Sequence, residues 1–247
     1  MDLQTFFTQH PRAAIAFSGG VDSTYLLYAA ARAGADVCAY YVQSEFQPAF
    51  ERRDAERLAR DVGARMRVLQ VSALCAPGVR ENPPERCYFC KKAIFAAIAA
   101  AAREDGYTLL LDGTNASDDA ADRPGMRALR ELSVRSPLRE CGLTKAEIRE
   151  ASRAAGLFTW DKPAYACLAT RIPAGERITP EKLAATERAE DYLFSLGFTD
   201  FRVRYAAGAA KIQLPAAQWA RLTEHRAEIL NFLRQDYTAV TLDLEVR

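Results

Sequence analysis

Short apolar runs alternate with amphipathic stretches over the first two-thirds of the chain. Residues 13–17, 37–42, 66–71 and 108–112 are apolar runs too short for helices and predict strands. Between and after them, residues 23–33, 48–62, 86–104 and 144–155 space their apolar positions at helical intervals. That alternation predicts an α/β fold, a parallel sheet with helices on both faces. Thr144, with Glu147 three residues on, forms a capping box for the last of these helices, and Gly156 stops it. The rhythm breaks between Trp160 and Pro180, where Pro163, Pro173 and Gly175 mark a loop. Beyond it, 181–196 reads as a helix, 201–205 and 211–214 as strands, 215–233 as a helix and 239–246 as a final strand. The predicted organisation is an α/β domain over residues 1–165, an active-site loop or linker over 166–179, and a small α+β domain over 180–247.

One junction in this pattern carries chemistry. The run Ala13-Ala14-Ile15-Ala16-Phe17 leads directly into Ser18-Gly19-Gly20-Val21-Asp22-Ser23-Thr24, which opens a helical stretch. Paired glycines let backbone approach a bulky anion, and a helix N-terminus offers unpaired N–H groups and partial positive charge to phosphate. Ser18, Ser23 and Thr24 add hydroxyl donors, while Asp22 is placed to cap the helix or to hold Mg2+. No Gly-Lys-Ser/Thr ends the loop, so it is not a Walker motif. Ser44 and the run Asp112-Gly113-Thr114-Asn115 also fall at carboxyl ends of predicted strands, where such sheets bind ligands.

Composition narrows the class. The chain has 247 residues, 49% of them hydrophobic, enough for one large domain or a domain plus a smaller one. A net charge of +1 gives no global field toward nucleic acid or membrane. The start, Met1-Asp2-Leu3-Gln4, lacks the basic and apolar regions of a leader, so a cytoplasmic location is expected. Six cysteines in such a chain do not suggest a disulfide framework. Cys38, Cys75 and Cys141 read as small buried hydrophobes, and His10 and His225 are too far apart to suggest a histidine site.

The other three cysteines form a pattern. Cys87-Tyr88-Phe89-Cys90 opens a helix after Asn82-Pro83-Pro84, and by itself is half a zinc site, a redox pair or two core residues. Cys167 stands in the proline-bounded loop, where Lys162 and Arg171 would favour its thiolate.

The Ser18–Thr24 loop resembles the pyrophosphate loop of the ATP-pyrophosphatase families, which grip the pyrophosphate released on adenylation. The wider set is more specific. Asn82-Pro83-Pro84-Glu85-Arg86-Cys87-Tyr88-Phe89-Cys90-Lys91-Lys92, Asp112-Gly113-Thr114-Asn115, Arg123-Pro124-Gly125, Ser136-Pro137-Leu138 and Ala166-Cys167-Leu168-Ala169-Thr170-Arg171-Ile172-Pro173 resemble signatures of the LarE family, in family order. These are ATP-dependent sulfurtransferases acting on pyridinium-3,5-biscarboxylate mononucleotide in nickel-pincer nucleotide synthesis. The resemblance implies an adenine nucleotide alpha hydrolase-like fold and ATP held by Ser18, Gly19, Gly20, Val21, Asp22, Ser23, Thr24, Ser44, Gly113, Thr114 and Asn115. It implies a substrate carboxylate activated as an adenylate, with Asp22 and Cys167 in catalytic roles.

Sulfur then comes by one of two routes. Either Cys167 attacks and gives up its own sulfur, leaving dehydroalanine, or Cys87, Cys90 and Cys167 hold a [4Fe–4S] cluster carrying an extra sulfide. Presence of the C-x-x-C pair beside the loop cysteine favours the cluster. Glu190, Arg202 and Arg204 are implied to bind phosphate or metal at a subunit contact, and Arg171 with them to meet phosphate or substrate, with a homo-oligomer expected; Glu190 and Arg204 read equally as solvated surface charges. The chain departs from the family at Asn115-Ala116-Ser117-Asp118, at Tyr205-Ala206-Ala207 in place of a histidine–glycine turn, and at Gln213 in place of a glutamate.

Two other classes use such a loop. A tRNA thiolase needs a basic binding domain, which a charge of +1 does not suggest, and an amidating synthetase needs an ammonia source, of which no segment gives a sign. A non-catalytic nucleotide-binding module would leave three placed cysteines without a purpose.

Overall fold

The computed structural model describes residues 1–118 and 124–245. The chain divides into two compact units, residues 1–77 with 85–164 and residues 78–84 with 165–247. The second unit thus takes in a short segment from far upstream, 78–84, as well as the whole 166–179 stretch.

The first unit runs α1 (Leu3–Gln9), β1 (Arg12–Ala16), α2 (Val21–Arg32), β2 (Asp36–Gln43), α3 (Ala49–Val62), β3 (Arg65–Gln70), α4 (Arg86–Glu104), β4 (Leu110–Leu111), α5 (Pro124–Glu131), α6 (Pro137–Glu140) and α7 (Lys145–Ala154). Its strands are parallel in the order β3-β2-β1-β4. Ala13, Ile15, Val37, Ala39 and Tyr41 point to one face, where they meet Phe6, Phe7, Leu26, Leu27, Leu58 and Ile148. Ala14, Cys38, Tyr40 and Val42 point to the other, against Phe95, Ile98, Ala101 and Ala102 of α4. Burial on both faces explains why these strands read as continuous apolar runs. Leu26 and Leu27 are fully buried, each worth about 1.5–3 kcal/mol of transfer free energy.

Two expectations are corrected here. The strand expected over 108–112 pairs with β1 only at Leu110–Leu111, and Leu111 forms an isolated parallel bridge with Arg135. Helices α1, α5 and α6 were not anticipated; α6 has four residues and begins at Pro137, too short for a periodicity to register. Arg123 lies outside the described residues.

The second unit runs α8 (Pro180–Ser195), β5 (Arg202–Ala206), β6 (Ala209–Gln213), α9 (Trp219–Glu224), α10 (Arg226–Leu233) and β7 (Ala239–Leu242). Strands β5 and β6 form an antiparallel hairpin, and β7 joins β6 in parallel. Ala185, Ala189 and Leu193 of α8 close over Phe198, Phe201, Val203, Ile212, Ile229 and Leu233. Thr179 caps α8 by accepting from the Lys182 N–H, and Pro180 occupies its first turn. The single helix expected over 215–233 is broken at His225, which caps one piece and starts the next. The last strand ends at Leu242, short of the expected 246, and residue 246 lies outside the described residues. Among the described residues no helix is long and apolar enough to cross a membrane.

Candidate functional site

The sheet of the first unit changes direction at β1. The chain steps from β1 to β2 and β3 on one side, then crosses back through α4 to lay β4 on the other. Ligands bind at such switch points, beyond the carboxyl ends of the strands. The segments leaving β1 and β4 are Phe17–Gly20 and Asp112–Asn115, and the second lies on the first turn of α2, into which the first leads.

The contact is set by glycine. A Cβ on Gly113 would sit 2.8 Å from the Ser23 backbone N and 3.1 Å from its Cα. Only a bare Cα lets the β4 loop lie on the first turn of α2. Gly19 adopts φ +69°, and a Cβ there would press on Ala55 of α3 at 3.2 Å. The Ser18 and Ser23 hydroxyls lie 3.1 Å apart; Ser18 Oγ accepts from the Gly20 N–H and Ser23 Oγ accepts from the Ser18 N–H, both at 3.3 Å. The serines therefore shape the loop. Val21 is buried as an anchor, leaving its backbone, with that of Asp22, as the start of the helix, where N–H groups have no carbonyl one turn back.

Several expected roles are corrected by this geometry. Gly20, not Asp22, is the N-cap of α2, and no side chain caps it. The Thr24 hydroxyl is buried and has no hydrogen-bond partner among the described residues, so it does not line the open side of the loop. Ser44 does sit at the end of β2, but its hydroxyl donates to Gln47 Oε1 at 2.6 Å and accepts from the Phe46 N–H. It closes its own turn.

The β4 loop is tightly braced. Buried Asp112 accepts from Thr114 Oγ1 at 2.5 Å and from Ser136 Oγ at 2.6 Å. Asn115 Nδ2 donates to Asp22 Oδ1 at 3.3 Å, while Asn115 Oδ1 accepts from the Ser117 N–H at 2.8 Å. The second carboxylate oxygen of Asp22 meets Lys145 Nζ at 2.6 Å. Lys145 was absent from the residues singled out in the sequence. Its signal is its place as the first residue after the capping Thr144, where a capping box by itself marks only a helix start.

Cys87 and Cys90 lie in the first two turns of α4, three residues apart and so on one face, with Cys87 exposed and Cys90 half-buried. An Arg86 guanidinium nitrogen lies 3.6 Å from Cys87 Sγ. Such thiols are soft donors of the kind an iron–sulfur cluster takes. Among the described residues, however, no group of three or more His, Cys, Asp or Glu side chains is gathered to hold a metal ion. Of the remaining cysteines, Cys38 is buried, and burial pushes its thiol up; Cys75, expected inside, is exposed.

In the second unit Cys167 is half-buried and precedes a short 3-10 turn, Leu168–Arg171. The turn is tied down at Arg171. Its guanidinium donates to both oxygens of Glu190, at 2.8 and 3.0 Å, and to the Ala166 carbonyl at 2.8 Å. Glu190 also accepts from the Tyr165 hydroxyl and from the Val203 N–H at 2.9 Å. Burial opposes the Arg171 charge, yet the hydrogen bonds and charge of Glu190 hold its pKa above the ordinary value. Arg171 and Glu190 therefore face each other and not an external phosphate, and Glu190 is no surface charge. Arg202 is buried, its guanidinium 5.2 Å from the Tyr165 ring, and Arg204 donates to the Thr170 carbonyl at 2.8 Å and to Gln213. Gln213 in turn donates to Asp243 at 2.6 Å, so this amide links two charged side chains. Asn82, at φ +55°, donates to the Ile172 and Pro173 carbonyls at 3.2 and 2.7 Å and clamps the far side of the same loop.

Comparison with known proteins agrees with the fold. The family model described as "Queuosine biosynthesis protein QueC" matches residues 12–79, which span β1, the glycine loop and the two strands that follow. The chain is 38% identical, over 99% of its length and 92% of the relative, to the uncharacterized protein slr1717 of Synechocystis. It is 33% identical, over 94% of its length and 86% of the relative, to the pyridinium-3,5-bisthiocarboxylic acid mononucleotide synthase of Lactiplantibacillus plantarum. A third relative, the uncharacterized protein MJ0830 of Methanocaldococcus jannaschii, is 27% identical over 94% of this chain and 89% of its own.

Proposed function

The chain belongs to the LarE family, that of the pyridinium-3,5-bisthiocarboxylic acid mononucleotide synthase, and from that membership we propose that it converts a carboxylate of pyridinium-3,5-biscarboxylate mononucleotide to a thiocarboxylate. It is an ATP-utilising sulfurtransferase with a pyrophosphate-loop fold. The observation that carries the finer reading is the close seating of Gly113 on the first turn of α2, which puts the loop amides and Asp22 beside Asn115 at the switch point.

In this reading a substrate carboxylate oxygen attacks the α-phosphorus of ATP. The α–β phosphoanhydride bond breaks and pyrophosphate leaves into the Ser18–Thr24 loop. Gly19, Gly20 and Val21 offer backbone, Ser18 and Ser23 hold the loop's shape, and Asp22 would hold Mg2+, which when bound offsets phosphate charge. A sulfur nucleophile then attacks the acyl carbon and AMP departs. Cys87, Cys90 and Cys167 would hold a [4Fe–4S] cluster, whose extra sulfide supplies that sulfur when the cluster is bound. The α4 pair has the donor chemistry for it, although among the described residues no group of three or more His, Cys, Asp or Glu side chains is gathered to hold a metal ion. Arg171 and Glu190 hold the Cys167 loop against α8.

One experiment separates the routes. Protein purified without oxygen is assayed for iron and sulfide, and its intact mass is compared before and after turnover with ATP and the biscarboxylate nucleotide. About four irons per chain support the cluster. Loss of one hydrogen sulfide at Cys167 supports sacrificial transfer. Full activity in Cys167→Ala with neither signal overturns both. Adenylation is checked in Asp22→Ala, whose pyrophosphate release is expected to vanish; normal release would overturn the loop's role.

A further inference from the structure

The ion pair between Lys145 and Asp22 joins the first turns of two helices, α7 and α2, that lie 123 residues apart in sequence. It is not held in the manner of a loose surface pair. The Lys145 backbone is fixed by the Thr144–Glu147 capping box and by its own N–H, which donates to Ser117 Oγ at 2.9 Å. Ser117 in turn donates its N–H to Asn115, whose amide reaches Asp22. Asp22 is thus clasped between Lys145 and Asn115, and both partners spring from one braced segment of the β4 loop and α7.

That arrangement has an electrostatic consequence. The loop amides and the positive end of α2 favour an anion, but the Asp22 carboxylate stands among them with the opposite effect. An ammonium at 2.6 Å offsets it. Lysine carries its charge as a point on a flexible four-carbon stem with three donors, so it can keep one donor on Asp22 and turn another to a phosphate oxygen. Both side chains retain some exposure, 36% for Lys145 and 22% for Asp22, so the pair is open to a ligand at the loop.

We propose that Lys145 is a phosphate-binding residue of the nucleotide site, held by Asp22 until a polyphosphate arrives. The inference rests on the reading of Ser18–Thr24 as a nucleotide loop. Its chemistry calls for the α,β,γ chain of a nucleoside triphosphate and is indifferent to the nucleoside.

Calorimetric titration of the full chain with α,β-methylene ATP and with adenosine, both in EDTA, tests it. Lys145→Met is expected to weaken α,β-methylene ATP tenfold or more while leaving adenosine unchanged, with the thermal midpoint also unchanged. Lys145→Arg is expected to recover most of the loss. The double variant Asp22→Asn with Lys145→Met distinguishes contact from neutralisation: it stays weak when Lys145 itself touches phosphate. Recovery in the double variant, or unchanged binding in Lys145→Met, would overturn the proposal. Failure of the unaltered protein to bind α,β-methylene ATP in EDTA and in excess Mg2+ alike would instead overturn the nucleotide loop itself, and the proposal with it.

Discussion

Arg171 and Glu190 form a buried, two-pronged ion pair, their side chains 1% and 2% exposed, that ties the loop bearing Cys167 to helix α8. Every oxygen of Glu190 has a donor, from Arg171, Tyr165 and the Val203 N–H. A pair so enclosed adds little against an apolar replacement, but breaking it strands one charge without solvent. Its role is therefore to fix where the loop lies.

That argument predicts an asymmetry. Glu190→Ala leaves the Arg171 guanidinium buried and unpaired and is expected to destabilise the second unit by about 3–5 kcal/mol. Replacing both residues, Arg171→Met with Glu190→Leu, is expected to recover part of the loss, because the stranded charge is gone while the Tyr165 hydroxyl and Val203 N–H still lose their acceptor. Urea unfolding of the single and double variants measures this, and a double variant no more stable than Glu190→Ala would contradict the assignment.

At the switch point, Gly113→Ala is the sharpest probe of the site's geometry. The new methyl would meet the Ser23 N at 2.8 Å and the Asp22 carbonyl carbon at 3.3 Å, both backbone atoms that cannot rotate away. Either the β4 loop or the start of α2 must shift, at about 1–3 kcal/mol. Pyrophosphate release is expected to fall at least tenfold. Gly20→Ala is the gentler comparison, because its methyl would meet only the Ser18 hydroxyl at 3.4 Å.

The sheet was legible because its central strands, β1 and β2, are buried on both faces, which writes the fold into local composition. Strand β4 was read too long because the sequence around Leu110 does not say how many of its neighbours find a partner. The continuous helical pattern over 215–233 concealed a break at His225, which caps one short helix and begins the next. Within the site, the glycine loop announced itself through adjacent residues. The Arg171–Glu190 and Asp22–Lys145 pairs did not, because whether a charge faces water, a ligand or another side chain is decided by chain crossings 19 and 123 residues long.

The second unit also carries a pH signature. Burial drives the Tyr237 hydroxyl up to about 12, against a partial offset from its hydrogen bond to Thr186. In the unfolded chain a tyrosine releases its proton near pH 10. Between those values the unfolded state loses a proton that the folded state keeps, so stability is fully present below about pH 10 and falls as pH rises toward 12. The slope from one tyrosine is about 1.4 kcal/mol per pH unit. Tyr237→Phe is expected to flatten the decline measured by urea unfolding between pH 9 and 11, while buried Tyr40 and Tyr41, also raised by desolvation, keep part of it.

The hairpin between β5 and β6 turns through Ala207 at φ +47° and Gly208 at φ +87°. Positive φ at both turn positions is the backbone of a type I′ turn, whose twist matches the flanking strands. Glycine meets that demand, but alanine at the first position places its Cβ against the following carbonyl, at about 1–2 kcal/mol. Asparagine tolerates the same conformation without enlarging the freedom of the unfolded chain as glycine does. Ala207→Asn is therefore expected to stabilise the second unit by about 1 kcal/mol, Ala207→Gly by somewhat less, and Ala207→Val to destabilise it. Because Arg204 on β5 and Gln213 on β6 are joined across this hairpin, the same substitutions test whether tightening the turn leaves sulfur transfer unchanged. Thermal unfolding gives the stability order, and a ranking with valine above asparagine would refute the strain at Ala207.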